Sequence, residues 1–147
     1  MIYQHLILRV VTKMLVGTII LFALYVQFHG DFSPGGGFQA GVIMSVAFII
    51  YGIVFGLRTV KKVYPEWLVH KTMALGVLIF AGTGIASMIM GYDFLDYDAL
   101  SPYDPVAGQH LGLLIIEFGV GVTVTGVMVA IYYAFAGRNP SISDKDW

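Results

Sequence analysis

Few side chains in this sequence could do chemistry, and Glu117 is the most informative of them. It lies inside the apolar run 111–135, about six residues in, so about 9 Å below the outer end of a helix rising ~1.5 Å per residue. An intramembrane carboxylate costs about 2.5–3.5 kcal/mol on insertion scales, so this one should be neutral, paired or facing a wet cavity. His110 stands seven positions earlier, two turns away on the same helix face. That spacing aligns a titratable group at the mouth of a span with another inside it, which suits the uptake of a proton or cation. A structural carboxyl that hydrogen-bonds a neighbouring helix fits the same residue, because one carboxyl is no pathway.

Lys13 is a second candidate for a relay. It falls about 22 Å below the outer surface if the first span ends near Phe28, close enough to the inner boundary for its ammonium to snorkel to the headgroups. Upright helices would separate Lys13 from Glu117 by about 13 Å along the membrane normal, too far for a direct ion pair. Asp93, Asp96, Asp98 and Asp104 share one connector. Carboxylates suit hard cations, but their spacing lacks the glycine and final glutamate of a calcium loop, and a solvated acidic loop is expected. His5, His29 and His70 are spread over separate ends and connectors, whereas zinc needs three or four converging ligands. The chain has no cysteine, which excludes disulfides and thiolate chemistry. No nucleophile–base set, cofactor loop or basic patch is present, so neither a standalone enzyme, a bound cofactor nor a nucleic-acid partner is expected.

The elements that position these residues follow from composition. Hydrophobic residues make up 58% and charged residues 12%, against roughly 45–50% and 25% in soluble domains. So small a chain cannot hide that excess in a core, and lipid must be its solvent. Four apolar runs, about 6–28, 40–57, 71–91 and 111–136, approach the ~20 residues needed to cross a bilayer. Backbone polar groups must be satisfied internally in lipid, so the runs are helices. The first has no small-residue cleavage site after it and is read as a retained span. The expectation is an all-α integral membrane protein with four transmembrane helices, a membrane domain over 1–137 and a polar tail over 138–147. Arg9 and Lys13; Arg58, Lys61, Lys62 and Lys71; and Arg138 and Lys145 flank alternate ends of these runs and include every basic residue. The other two connectors hold Asp31 and the four aspartates above. The positive-inside rule then places both termini and the 58–71 connector in the cytoplasm. That connector carries Tyr64 and Trp67 at headgroup level, with a short interfacial helix expected at 63–68. Trp147 is expected at the interface as well.

Small residues line the later spans: Gly76, Gly82, Gly84, Gly112, Gly119, Gly121 and Gly126, with Gly52 and Gly56 forming a GxxxG pair. They allow close helix approach and docking of other subunits. Between the first two spans lies residues 29–41, His-Gly-Asp-Phe-Ser-Pro-Gly-Gly-Gly-Phe-Gln-Ala-Gly. Pro34 redirects the backbone, and Gly35, Gly36 and Gly37 permit positive φ and a sharp bend. A plain re-entry loop between helices fits this composition, as does a close-packed turn fixing the first two spans.

The segment resembles the signature of the B subunit of the Mrp-type multi-subunit sodium/proton antiporter. Gly30, Pro34, Gly35, Gly36, Gly37, Phe38 and Gly41 match it, whereas Asp31 and Phe32 replace the usual His-Asn and Ala40 replaces a glycine. The stretch 112–121, Gly-Leu-Leu-Ile-Ile-Glu-Phe-Gly-Val-Gly, is similar to the family's fourth-span segment, with Glu117 at its acidic position. The resemblance covers about 6–137. It implies a small membrane subunit beside larger antiporter subunits, exchanging Na⁺ for H⁺ across the cytoplasmic membrane of a prokaryote. Similar subunits occur in membrane-bound hydrogenases and related respiratory complexes, which is the alternative, together with a purely structural scaffold.

Overall fold

The structure, a computed structural model, describes residues 2–30, 35–101 and 103–138. Asp31, Phe32, Pro34, Lys145 and Trp147 lie outside the described residues. Five α-helices follow in order: α1 (Ile2–Gln27), α2 (Gly37–Phe55), α3 (Leu57–Val63), α4 (Glu66–Ile89) and α5 (Pro105–Ala136), with a 3-10 turn at Tyr97–Leu100 before α5. No strand occurs among the described residues. Four segments are long and apolar enough to cross a membrane: Leu6–Gln27, Gly37–Phe55, Glu66–Ile89 and Pro105–Ala136.

The bundle is built for an apolar solvent. Met14 is 71% exposed, Leu21 70% and Leu78 67%. Small residues fill the interior instead, among them Ala23, Ala40, Ser45, Ala47 and Ser87. Where lipid surrounds the helices, burying large apolar groups gains little, and close backbone approach supplies the attraction. α2 runs parallel to α5. Gly41 lies so near it that an added Cβ would stand 2.6 Å from the Gly121 carbonyl oxygen, and Gly52 abuts the Tyr132 hydroxyl. α4 runs antiparallel to α5, with Gly76 against Gly119 and Thr123, and Gly126 against Met73. α1 packs chiefly on α2. Gly82 faces open space, so it is no contact point within this chain.

At one end the chain turns through an elbow. Gly56, at φ 92°, ends α2 and opens α3, so it is a hinge and not the second half of a packing pair. The short helix expected at 63–68 lies instead at Leu57–Val63. Pro65 explains the difference. Its φ of −69° and missing N–H suit the position just before a helix, and α4 therefore starts at Glu66. Thr72 donates to the Val69 carbonyl (2.9 Å), so the Tyr64 hydroxyl donates to Thr72 (2.5 Å). Tyr133 donates to the Tyr64 carbonyl (2.6 Å). These bonds sit in a core of Val60, Tyr64, Val69, Val129 and Tyr133.

At the opposite end, α5 begins at Pro105, six residues before the apolar run. Asp104 caps it by accepting from the Ala107 N–H at 3.2 Å, and Pro105 occupies the first turn, where its missing N–H costs nothing. The connector folds over these added turns. Tyr97 packs against Gly112, Phe94 against Gly84, and the Gln109 amide donates to Asp98 at 2.8 Å.

Candidate functional site: a carboxyl seated in a glycine turn

α1 hands over to the turn through its own last carbonyls. The Val26 carbonyl accepts from His29 N–H (3.4 Å) and again from Gly36 N–H (3.3 Å), so the chain leaves α1 and returns to the same atom. An added Cβ at Gly35 would stand 3.0 Å from that oxygen. Gly36 then serves as N-cap of α2 with φ 118°, a conformation that disfavours any side chain, and it offers no side-chain cap.

The turn closes on Glu117. A Cβ at Gly30 would come within 2.7 Å of Oε2 and 3.0 Å of Oε1, and one at Gly36 within 3.1 Å of Oε1. At Gly37 a Cβ would run into the Glu117 backbone carbonyl itself. Three glycines thus form a seat for one half-buried carboxyl. The first N–H groups of a helix lack intrahelical partners, and the helix dipole favours negative charge there by about 0.3–1 kcal/mol, more when partly buried. The Glu117 carboxyl thus lies beside the α2 N-terminus, where a negative or hydrogen-bond-accepting group is favoured.

Glu117 is also deeper than its place in the apolar run suggests. Twelve residues separate it from Pro105, about 18 Å at 1.5 Å per residue. The N-terminal extension of α5 under the outer connector accounts for the added depth.

His110 is exposed on α5, two turns before Glu117. Lys13 is exposed at the elbow end, its Nζ 5.8 Å from the centre of the Phe55 ring, with the Arg9 guanidinium 5.6 Å from the same ring. Phe55 and Gly37 are opposite ends of α2, about 27 Å apart, so Lys13 is twice as far from the carboxyl as upright spans starting at 111 imply. Phe38 points outward at 61% exposure, while Gly41 is buried against α5.

Gln27 is a site residue that sequence reasoning missed. It is 9% exposed, and its Oε1 abuts Gly121, one α5 turn beyond Glu117. The Gly37 carbonyl oxygen approaches the same Gly121 position, at 3.1 Å from an added Cβ. The available signal was an amide in the last turn of an apolar helix. One face of α5 consequently carries Glu117, the Gln27 contact at Gly121 and then Thr125, whose hydroxyl donates to the Gly121 carbonyl at 2.8 Å.

The family described as "Domain related to MnhB subunit of Na+/H+ antiporter" matches residues 7–130, which hold both the turn and the carboxyl. The chain belongs to the MnhB family. A relative from Staphylococcus haemolyticus (strain JCSC1435), named "Putative antiporter subunit mnhB2", is 36% identical over 133 residues, covering 89% of this chain and 94% of the relative. A protein of the same name from Staphylococcus aureus (strain Newman) is 34% identical over the same shares. The MnhB match thus spans all four long apolar helices almost to the end of α5.

Proposed function

We propose that this MnhB-family chain is a membrane subunit of a multi-subunit Na⁺/H⁺ antiporter in the cytoplasmic membrane of a prokaryote, and that Glu117 is its ion-relaying carboxyl. The role is transport, not catalysis, and the partners are the other subunits, lipid, and the ions H⁺ and Na⁺. The seating of Glu117 in the glycine turn supports this reading. A carboxyl beside a helix N-terminus lies where negative charge is favoured, and its oxygens suit the uptake of a proton or Na⁺. Both termini and the elbow face the cytoplasm, in keeping with Arg9, Lys13, Arg58, Lys61, Lys62, Lys71 and Arg138 at the elbow end and the 93–104 aspartates at the other.

A structural reading draws on the same contacts. Gly36 has no side-chain cap, so Glu117 could serve only to hold the first turn of α2. Glu117→Gln separates the two, because the amide keeps the size and hydrogen-bonding capacity and loses the titratable charge. In everted membrane vesicles the variant complex is expected to assemble normally and to lose Na⁺-dependent antiport by about tenfold or more. Unchanged antiport would leave Glu117 a cap alone.

A further inference from the structure

We propose that the groove between α1 and α5 is a lipid site, which holds one acyl chain of a diacyl phospholipid with the lipid's ester carbonyl on the Gln27 amide. The site goes beyond the transport role proposed above and stands without it.

The groove has a volume of about 250 Å³. Leu24 of α1 and Phe118 of α5, both exposed, flank its opening, and Met44 and Phe48 of α2 line it further along. α1 packs on α2 and barely touches α5, which leaves this gap between them. The walls are almost wholly apolar, so hydrocarbon fills the groove more readily than water does.

Four polar side chains reach the groove, and three of them are used within the protein. Thr125 donates to the Gly121 and Gly41 carbonyls at 2.8 and 3.2 Å. Thr72 donates to the Val69 carbonyl, and the Tyr64 hydroxyl donates to Thr72. The Gln27 side chain has no hydrogen-bond partner among the described residues, although it is only 9% exposed. Its Oε1 abuts Gly121, and its two N–H groups are left to donate. A buried amide without a partner carries a desolvation cost that an acceptor on a ligand relieves. The groove therefore suits a molecule with one hydrogen-bond acceptor at the Gln27 end and hydrocarbon everywhere else.

Gln27 also sets the direction of seating. It is the last residue of α1, at the glycine-turn end, so the ester lies there and the chain runs toward the elbow. From Ala40 to Phe48 the groove follows α2 for about 12 Å, and Tyr64 and Thr72 line its far end. The hydrocarbon of one leaflet is about 15 Å deep, half of the ~30 Å core, so an acyl chain fills that length. An α-helix is about 10 Å across and takes about 420 Å³ per turn, more than the whole groove holds, so the occupant is a slender chain. Seated here, it joins α1 to α5, which otherwise meet chiefly through α2.

The test uses the whole complex in vesicles of phosphatidylethanolamine that contain the same lipid with a diazirine near the methyl end of one chain. Irradiation marks the residues that this chain end touches, and mass spectrometry locates the marks. In vesicles, Phe48 in the groove and the lipid-facing Ile53 and Leu78, 68% and 67% exposed, should all be marked. When the complex is moved into mild detergent before irradiation, marking at Ile53 and Leu78 should fall at least about tenfold further than at Phe48, because only a seated lipid survives dilution. Gln27→Leu removes the donors and keeps much of the bulk, and it should lower the surviving Phe48 mark about three- to tenfold. Equal loss at all three positions overturns the site and leaves ordinary lipid contact. An unmarked Phe48 in vesicles overturns it in favour of a side chain from a partner subunit. An unchanged Phe48 mark in an assembled Gln27→Leu complex overturns the seating of the ester; if that variant does not assemble, the detergent comparison decides. Antiport is not read, so a failed antiporter role would leave the lipid site standing, and intact antiport would not rescue it.

Discussion

Gly30 and Glu117 face each other so closely that a methyl group on Gly30 would come within 2.7 Å of the carboxyl oxygen Oε2. Eighty-seven positions of chain separate them, and the turn brings them together at the point where α2 begins. The seat has two kinds of wall. Gly30 and Gly36 face the movable end of a side chain, whereas Gly37 faces α5 backbone.

That difference makes the glycines unequal. Gly37→Ala has nowhere to place its Cβ without parting α2 from α5, so it is expected to destabilise the subunit by about 1–3 kcal/mol. Thermal unfolding of the purified complex in mild detergent would show a lower midpoint. Gly30→Ala has the carboxyl tip of a side chain, and not backbone, as its nearest neighbour. It should leave the midpoint nearly unchanged while lowering antiport, and equal thermal loss in the two variants would refute the distinction.

Tyr133→Phe removes the donor to the Tyr64 carbonyl and leaves a buried acceptor unsatisfied. The expected cost is about 1–3 kcal/mol. Urea or thermal denaturation followed by near-ultraviolet circular dichroism would measure it, and limited proteolysis at the 56–66 elbow should quicken in parallel.

Burial under α5 raises the Tyr97 phenol above its ordinary value of 10.0. The raised value means that the docked state favours the neutral ring. Docking stability from this residue is therefore complete below the unfolded value and is lost as pH rises through the raised one. Tyrosinate absorbance, compared between the parent and Tyr97→Phe, should show this ring ionising above pH 10. A difference spectrum centred at or below pH 10 would contradict the docking of Tyr97 on Gly112.

Lys13 shares the elbow end with Arg9 and Phe55, at the opposite end of α2 from Glu117. Lys13→Gln should consequently leave Na⁺-dependent antiport within about twofold of the parent, as expected of a charge that only reaches the headgroups. A loss as deep as that of Glu117→Gln would assign Lys13 a place in the ion path.

Gly56 and Asp104 show where reading the chain in order falls short. Both were visible, Gly56 as half of a spaced pair and Asp104 as one acid among four. Gly56 proved to be the hinge of the elbow because its φ is positive, and a spacing motif carries no dihedral. Asp104 followed by Pro105 is a helix start, and it lengthened α5 beyond its apolar run because caps and hydropathy mark different boundaries.

The sequence by itself determined that the chain is four long apolar helices, since lipid leaves the backbone no other way to satisfy its polar groups. It also singled out Glu117 and Gly35–Gly37 as unusual, each for its own local reason. Only the tertiary structure decided that they are one site. A glycine records that room is needed and not what occupies it, and here the occupant is a carboxyl from the other end of the chain.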